Sequence, residues 1–234
     1  MIYVLVCLSV TYDASLLIFD TIEKTLMTGI FMANGKKQNI ALFDFDGTIT
    51  ERELFSIFLK YSASRMRKTI GNLIILPFYI LYKRGLLSPI ALRKMSAFLA
   101  LFGRKFESLN QQGKQFSTEI IPQYLRKNAL ERILYHKLQG DTVVVVSASL
   151  NLYLTHWCQE QGLALICNEV ALKNGYATGK FVADDCSNEM KVKRVLSQFD
   201  LSNFDQVFAY GDTEEDLAML KLADVKYMGW QIYG

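Results

Sequence analysis

Histidine, proline and cysteine are scarce in this chain: two, three and four residues among 234. The cysteines, Cys7, Cys158, Cys167 and Cys186, form no C-x-x-C pair and no zinc spacing. Their scarcity excludes a disulfide scaffold and a structural zinc site, and it predicts reduced, mostly buried thiols of a cytosolic protein. His136 and His156 stand among neighbours that are not ligands. Both are therefore expected in structural roles, because metal and nucleophile sites need convergent partners. Long apolar runs are lacking too. Residues 69–82 form an apolar charge-free stretch of 14 residues, and a spanning helix needs about 20. Acidic residues are missing from one region: residues 54–106 hold ten Lys or Arg and no Asp or Glu, against 16 basic and 23 acidic residues elsewhere. This division predicts two surfaces with different tasks. Internal repeats and low-complexity segments are absent. No nucleic-acid or protein partner is expected.

The N-terminus "MIYVLVCLSV" is apolar but has no basic leader, and no small-residue cleavage site follows, so it is not read as a signal peptide. Asp13, Asp20, Glu23 and Lys24 interrupt it. Phe19, Ile22, Leu26 and Ile30 recur at helical spacing, which allows an amphipathic helix over 15–31. Met32 opens "MANGKKQN", an ordinary cytosolic start, and the expectation is that residues 1–38 are an extension whose native beginning is Met32.

From residue 39 the pattern is regular. "IALF" opens a buried strand over 39–45. Residues 53–68 read as a helix with Leu54, Ile57, Phe58 and Tyr61 on one face. The charge-free run follows with Pro77 inside it, then helical periodicity over 90–102 and 106–138 with a break near Pro122. Residues 53–138 are therefore one helical insertion. Strand signals return at "DTVVVVSAS" (141–149), whose four valines suit a strand buried on both faces. A helix over 150–161, a strand at 163–167, a hairpin turning at Asn174-Gly175 and a helix over 188–199 come next. "DQVFAYGD" is another buried strand, "TEEDLAMLKLA" a helix and "DVKYMGW" a last strand. Alternating strands and helices predict an α/β fold, a doubly wound (Rossmann-like) parallel sheet. Residues 39–52 and 139–234 form its core domain, and 53–138 form a helical cap inserted after strand one. Such sheets bind ligands beyond the carboxyl ends of their strands. Asp44, Asp46, Ser147 and Asp212 all fall at that edge.

A turn alone would explain "DFDGT" (44–48), since Asp and Gly commonly follow strands. Three further strand and helix ends with matching chemistry single it out. Asp44 and Asp46 are two acids flanking one residue at a strand tip, so one can attack a centre while the other handles protons. Asp212 adds a third carboxylate, and hard oxygen ligands with room for water suit Mg²⁺. Phosphate is the anion that commonly completes such a site. Ser147 offers a hydroxyl for it, and Lys191 stands near a helix start, where backbone N–H groups also favour anions.

The four segments "DFDGT" (44–48), "VVVVSAS" (143–149), "NEMKVKRV" (188–195) and "AYGDTEED" (209–216) together resemble the motifs of the haloacid dehalogenase superfamily. The insertion after the first motif resembles the type-one cap of subfamily IB, the phosphoserine phosphatase group. The resemblance implies an enzyme, a phosphomonoester phosphatase in which Asp44 is the nucleophile and Asp46 the general acid and base. It implies Mg²⁺ held by Asp44, the backbone carbonyl of Asp46 and Asp212, with Asp216 ligating through water or supporting Asp212. Ser147 and Lys191 bind phosphoryl oxygens, Thr48 supports the phosphate loop and Gly47 gives its tight turn. Glu53 stands nine residues after Asp44, where phosphoserine phosphatases place a substrate-recognition acid.

This chain departs from those enzymes in carrying Gly47 where they have Ser, and Thr213–Asp216 where they have Gly-x-Asn-Asp. The cap, with "ELFSIFLKY" at its start, is basic and apolar and offers Arg93 as its one obvious partner for a carboxylate. It looks closer in character to the type-C phosphatidylglycerophosphatases. The expected substrate is therefore a membrane lipid phosphate such as phosphatidylglycerophosphate. The protein would be cytoplasmic, held peripherally on an anionic inner membrane face through the 69–82 segment and its basic flanks. Phosphoserine or another small phosphorylated metabolite is the alternative. A non-catalytic membrane module ranks lower, as does a dehalogenase, in which Asp46 would be idle.

Overall fold

Four consecutive apolar residues place Ile40–Phe43 (β1) at the centre of a six-stranded sheet, where all four are buried. The computed structural model describes residues 37–234. The expected helix over 15–31 and the Met32 start lie outside them.

After β1 come five helices: α1 (Leu54–Ser62), α2 (Arg65–Lys83), α3 (Pro89–Leu101), α4 (Phe106–Glu119) and α5 (Lys127–Leu138). β2 (Thr142–Leu150), α6 (Asn151–Gln161) and β3 (Ala164–Asn168) follow, then the hairpin β4 (Val170–Lys173) and β5 (Tyr176–Phe181). α7 (Glu189–Gln198), β6 (Val207–Gly211), the short α8 (Leu217–Leu220), β7 (Val225–Met228) and β8 (Gln231–Ile232) complete the chain. The sheet order is β3-β2-β1-β6-β7-β8. Every pairing is parallel except β7 with β8. β1 registers Phe43 against Val145 on one side and Tyr210 on the other. The carboxyl ends of β1, β2 and β6 therefore share one edge.

Side chains alternate across a strand, and both faces of this sheet are covered. Ala41, Phe43, Val143, Val145 and Tyr210 pack with the inserted helices and α6. Ile40, Leu42, Val144, Val146 and Ala209 pack with Val195, Met219 and Leu220. His136 is structural, as expected. It is fully buried between Asp141 (2.7 Å) and the Tyr210 hydroxyl (2.8 Å). His156 joins Asn110 across α6 and α4. Cys158, Cys167 and Cys186 are buried free thiols.

Within the insertion the chain departs from the expected periods. The single helix expected over 53–68 is two, because Ser64 leaves the helix and caps α2 with its hydroxyl on the Arg67 N–H (3.3 Å). The charge-free run is part of α2, which continues through Pro77 and has no buried residue. Gly71, Ile75, Phe78 and Tyr82 are half-buried, and α2 packs on α3. Met66, Ile70, Leu73, Leu76 and Ile80 face outward. The helix expected in "TEEDLAMLKLA" is shorter, a 3-10 turn over Glu214–Asp216 leading into α8.

Two contacts fix the insertion against the sheet layer. α4 lies on α6 so closely that a Cβ on Gly113 would stand 1.8 Å from the Leu152 carbonyl oxygen. The hairpin turn at Asn174 (φ 51°) and Gly175 (φ 79°) presents β5 to the chain after α3. There Gly103 N–H donates to Ala177 O (2.9 Å), and Ala177 N–H donates to Arg104 O (2.8 Å).

Candidate active site

β1 delivers Asp44 to the sheet edge. Its N–H donates to Tyr210 O (2.9 Å), continuing the ladder one residue past the strand, and the residue is only 6% exposed. A tight turn over 45–49 follows. At its bend Gly47 has φ 89°, and a Cβ there would come 2.1 Å from an Asp212 carboxylate oxygen. Only glycine fits a left-handed bend pressed this closely on Asp212. The bend lets the Thr48 hydroxyl donate to Asp212 Oδ1 (3.1 Å). Arg126, just before α5, secures the turn by donating to the Gly47 and Thr50 carbonyls (3.1 and 3.2 Å).

Lys191, in the first turn of α7, is 1% exposed. Its Nζ lies 2.5 Å from Asp44 Oδ1 and 2.6 Å from Asp216 Oδ1. Burial alone would push the ammonium pKa down. The charges of Asp44 and Asp216 overcome that and raise it, so the lysine stays charged. Asp216 turns its other oxygen inward, accepting from the N–H groups of Asp212 and Thr213 (both 3.1 Å) and from the Thr213 hydroxyl (3.2 Å). Gly211 permits this fold-back, since a Cβ there would meet Asp216 Cβ at 2.5 Å.

Asp44, Asp212 and Asp216 each bring one oxygen into a group whose members lie within 4.8 Å of one another. Burial, followed by the Asp216 charge, raises the pKa values of both Asp44 and Asp212. A hard cation would relieve this repulsion, and hard oxygen donors of this kind, with water completing the shell, suit Mg²⁺. The cluster thus fits the ion that the sequence suggested. The carboxylate of Asp46 is not among the clustered groups.

That carboxylate turns toward other partners. Its Oδ1 accepts from the Leu54 N–H (2.8 Å), at the first residue of α1, and its Oδ2 accepts from the Ser149 hydroxyl. Ser149 in turn accepts from the Tyr153 hydroxyl (2.6 Å). Desolvation and then the Glu53 charge lift the Asp46 pKa to about 7, against the opposing bonds from Ser149 and Leu54. Glu53 caps α1 through the Ser56 N–H (3.1 Å) and is exposed. Ser147 is buried at the β2 end, where its hydroxyl accepts from the Ser149 N–H (3.0 Å).

The structure therefore brings Asp44, Thr48, Lys191, Asp212 and Asp216 into one connected network. Asp46 and Glu53 stand beside it through α1, and Ser147 connects to Asp46 through Ser149. Ser149, Tyr153 and Arg126 were not anticipated from sequence, and only the position of Ser149 at a strand end could have flagged it. Arg93, expected to be a carboxylate partner, already holds two carboxylates of this chain. It donates to Asp185 Oδ1 (2.5 Å) and to both oxygens of Glu215 (3.3 and 3.0 Å).

Residues 41–221 match the family profile described as haloacid dehalogenase-like hydrolase. Among curated proteins, Protein CicA of Caulobacter vibrioides is 29% identical over 209 residues, covering 85% of this chain and 88% of that one. Among solved structures, a protein of unknown function from Bordetella pertussis Tohama I superposes with a TM-score of 0.70 at 20% identity, covering 82% of this chain and 90% of that one. A probable phosphoserine phosphatase from Vibrio cholerae gives 0.61 at 15% identity, covering 81% and 55%. These structural likenesses concern the fold.

Proposed function

The chain belongs to the haloacid dehalogenase-like hydrolase family, and within it we propose a Mg²⁺-dependent phosphomonoester phosphatase that works through an aspartyl phosphate. The supporting observation is the buried Lys191 ammonium, shared between Asp44 and Asp216 at the rim of the three-carboxylate cluster. Such a site pairs a nucleophile with a fixed positive charge for phosphoryl oxygens. Asp44 attacks phosphorus, and the bond to the leaving oxygen breaks. Asp46 gives that oxygen its proton. Asp46 then takes a proton from the water that attacks the aspartyl phosphate, releasing phosphate and restoring Asp44. A carboxyl with a pKa of about 7 suits both proton transfers near neutral pH.

Lys191 and Ser147 bind phosphoryl oxygens, and Thr48 holds Asp212 in place. Asp44, the backbone carbonyl of Asp46, and Asp212 would hold Mg²⁺, with Asp216 supporting the Asp212 loop. When bound, the ion supplies charge neutralisation at the phosphoryl group. Residues 53–138 act as the cap over a core of 39–52 and 139–234. The test is turnover of p-nitrophenyl phosphate. Asp44→Asn abolishes it, EDTA silences the wild type and Mg²⁺ restores it. Near-wild-type turnover by Asp44→Asn overturns the assignment.

The favoured substrate is a lipid phosphate at an anionic membrane surface. Helix α2 supports this, because it carries large outward apolar side chains and has no buried residue. Its ends are basic, with Arg65, Arg67 and Lys68 in its first turn and Lys83 and the capping Arg84 at its last. Arg67 is engaged by the Leu99 and Phe102 carbonyls (both 3.1 Å). Among the described residues no helix is long and apolar enough to cross a membrane, so attachment would be peripheral, on the inner face. Leu73→Asp with Leu76→Asp should abolish co-sedimentation with anionic vesicles and lipid-phosphate turnover while sparing p-nitrophenyl phosphate. The alternative, phosphoserine or another small metabolite, draws on Glu53, an exposed acid whose charge acts on Asp46. It prevails if the wild type ignores anionic vesicles and hydrolyses phosphoserine fastest.

A further inference from the structure

Arg93 sits on α3, in the inserted helices, yet both of its carboxylate partners belong to the sheet layer. Asp185 lies in the chain leading to Lys191, and Glu215 lies between Asp212 and Asp216. The Arg93 side chain is 17% exposed, and Asp185 and Glu215 are 1% and 24% exposed. Asp185 is fixed from behind. Its Oδ2 accepts from Asn168 Nδ2 (3.2 Å), which also donates to Ala148 O (2.7 Å). The two loops also touch directly, where Asn188 N–H donates to Glu215 O (3.0 Å) at a residue with φ 49° and where Lys191 Nζ reaches Asp216 Oδ1 (2.6 Å). A planar guanidinium presents its donors in a rigid fork, so it fixes the relation of two carboxylates more strictly than a rotatable ammonium does.

We propose that Arg93 is a positioning residue, a clamp from the inserted helices that joins the loop bearing Lys191 to the loop bearing Asp212 and Asp216. With α3 seated over the sheet edge, Arg93 holds the two loops in the relation that places Lys191 beside Asp216. The clamp also occupies the one cap guanidinium that a substrate carboxylate would seek, so an amino-acid leaving group gains nothing from it. The inference rests on the phosphatase reading for its kinetic part only.

Arg93→Met is expected to fold, because α3 and the chain after it keep their contacts with β5. Hydrogen–deuterium exchange in the protein without metal or substrate is the first measurement. Residues 185–191 and 212–216 should both exchange faster in Arg93→Met than in the wild type. Kinetics are the second. kcat for p-nitrophenyl phosphate, phosphoserine and a lysophosphatidate should fall by one common factor of about 10 to 100, the range for losing an outer-shell partner. The Mg²⁺ concentration for half-activity should rise, and Arg93→Lys should recover only part of the loss. Unchanged exchange in both loops overturns the clamp, whatever the enzyme does. A kinetic loss confined to phosphoserine overturns it in favour of direct substrate binding. If the wild type hydrolyses no ester, the phosphatase reading fails and the exchange measurement alone decides the clamp.

Discussion

Replacing Lys191 by Met removes the ammonium that joins Asp44 to Asp216 while keeping an unbranched side chain of similar length. In the folded protein Asp44 is 6% and Asp216 is 1% exposed, and both oxygens facing Lys191 lose their cation. Removing one partner of a buried ion pair costs about 3–5 kcal/mol. Part of that returns if the cluster takes up a proton, and burial has already raised the pKa of Asp44 and Asp212. At neutral pH in EDTA we expect a loss near the lower limit, about 3 kcal/mol, or roughly 6–12 °C in Tm for a chain of this size. The sign of the pH dependence follows. A carboxyl whose folded pKa lies above its unfolded value binds more protons when folded, so its destabilisation fades as pH falls toward the unfolded value. The gap between variant and wild type should therefore narrow on acidification. Excess Mg²⁺ should also narrow it, by replacing the lost charge. Activity should stay absent throughout, since one donor to a developing oxyanion is worth about 100–1000-fold in kcat. Urea unfolding in EDTA and in Mg²⁺, at neutral and mildly acidic pH, checks all of this. Wild-type stability of Lys191→Met in EDTA at neutral pH would refute the buried ionic network, and full activity in Mg²⁺ would refute the role of Lys191.

Asp46→Asn should let the aspartyl phosphate accumulate, because the base for its hydrolysis is gone; acid quenching during turnover traps it. Ser149→Ala removes a bond that favours ionised Asp46, so the Asp46 pKa should rise and the alkaline limb of the rate profile should move to higher pH. Gly113→Ala places a methyl 1.8 Å from a backbone oxygen, an overpacking expected to cost about 1–3 kcal/mol, and a thermal melt reads it. His136 has its pKa lowered by burial, against the opposing bond from Asp141. Its contribution is therefore present above the unfolded value of about 6.5 and is lost as pH falls below it. His136→Gln should flatten that slope in urea titrations.

The sheet was legible because its strands carry their burial in plain form. Ile40–Phe43 and Val143–Val146 are unbroken apolar runs, and a parallel strand covered on both faces requires that. Once the strands are parallel, Asp44 and Asp212 must share an edge, however far apart they lie in the chain. Asn174-Gly175 was legible for a similarly local reason, since two left-handed residues make the turn. The boundary at Ser64 was hidden because helical spacing continues through it while only the cap changes. Which side of α2 faces outward was hidden, because a charge-free run reads the same on every side. For that reason Ile75 and Phe78, which seem natural probes of an outer surface, lie on the half-buried side, and Leu73 and Leu76 are the outward pair. Arg93 was visible as a cation, but its partners stand 92 and 122 residues away, and nothing local specifies a pairing at that distance.

The same limit applies to the two carboxylates at the tip of β1. From sequence they are like charges one residue apart that need a common cation. In the structure the tight turn after β1 divides them, because Asp44 ends the extended chain while Asp46 lies inside the turn that bends at Gly47. Asp44 faces Lys191 and the acidic cluster, while Asp46 faces Ser149 and the first N–H of α1. One carboxylate is set against a fixed positive charge, which opposes the rise that burial and the Asp216 charge impose on its pKa. The other is desolvated and lifted to about 7 beside Glu53, which suits a group that must carry a proton and then give it up. What separates the two acids is their partners, a buried ammonium for Asp44 and a hydroxyl and an amide for Asp46, and the proposed roles follow those partners. Here the assignment is made by a serine 103 residues away and by the first turn of an inserted helix. If Asp46 is the acid and base proposed above, the insertion takes part in the proton transfers through the Leu54 N–H.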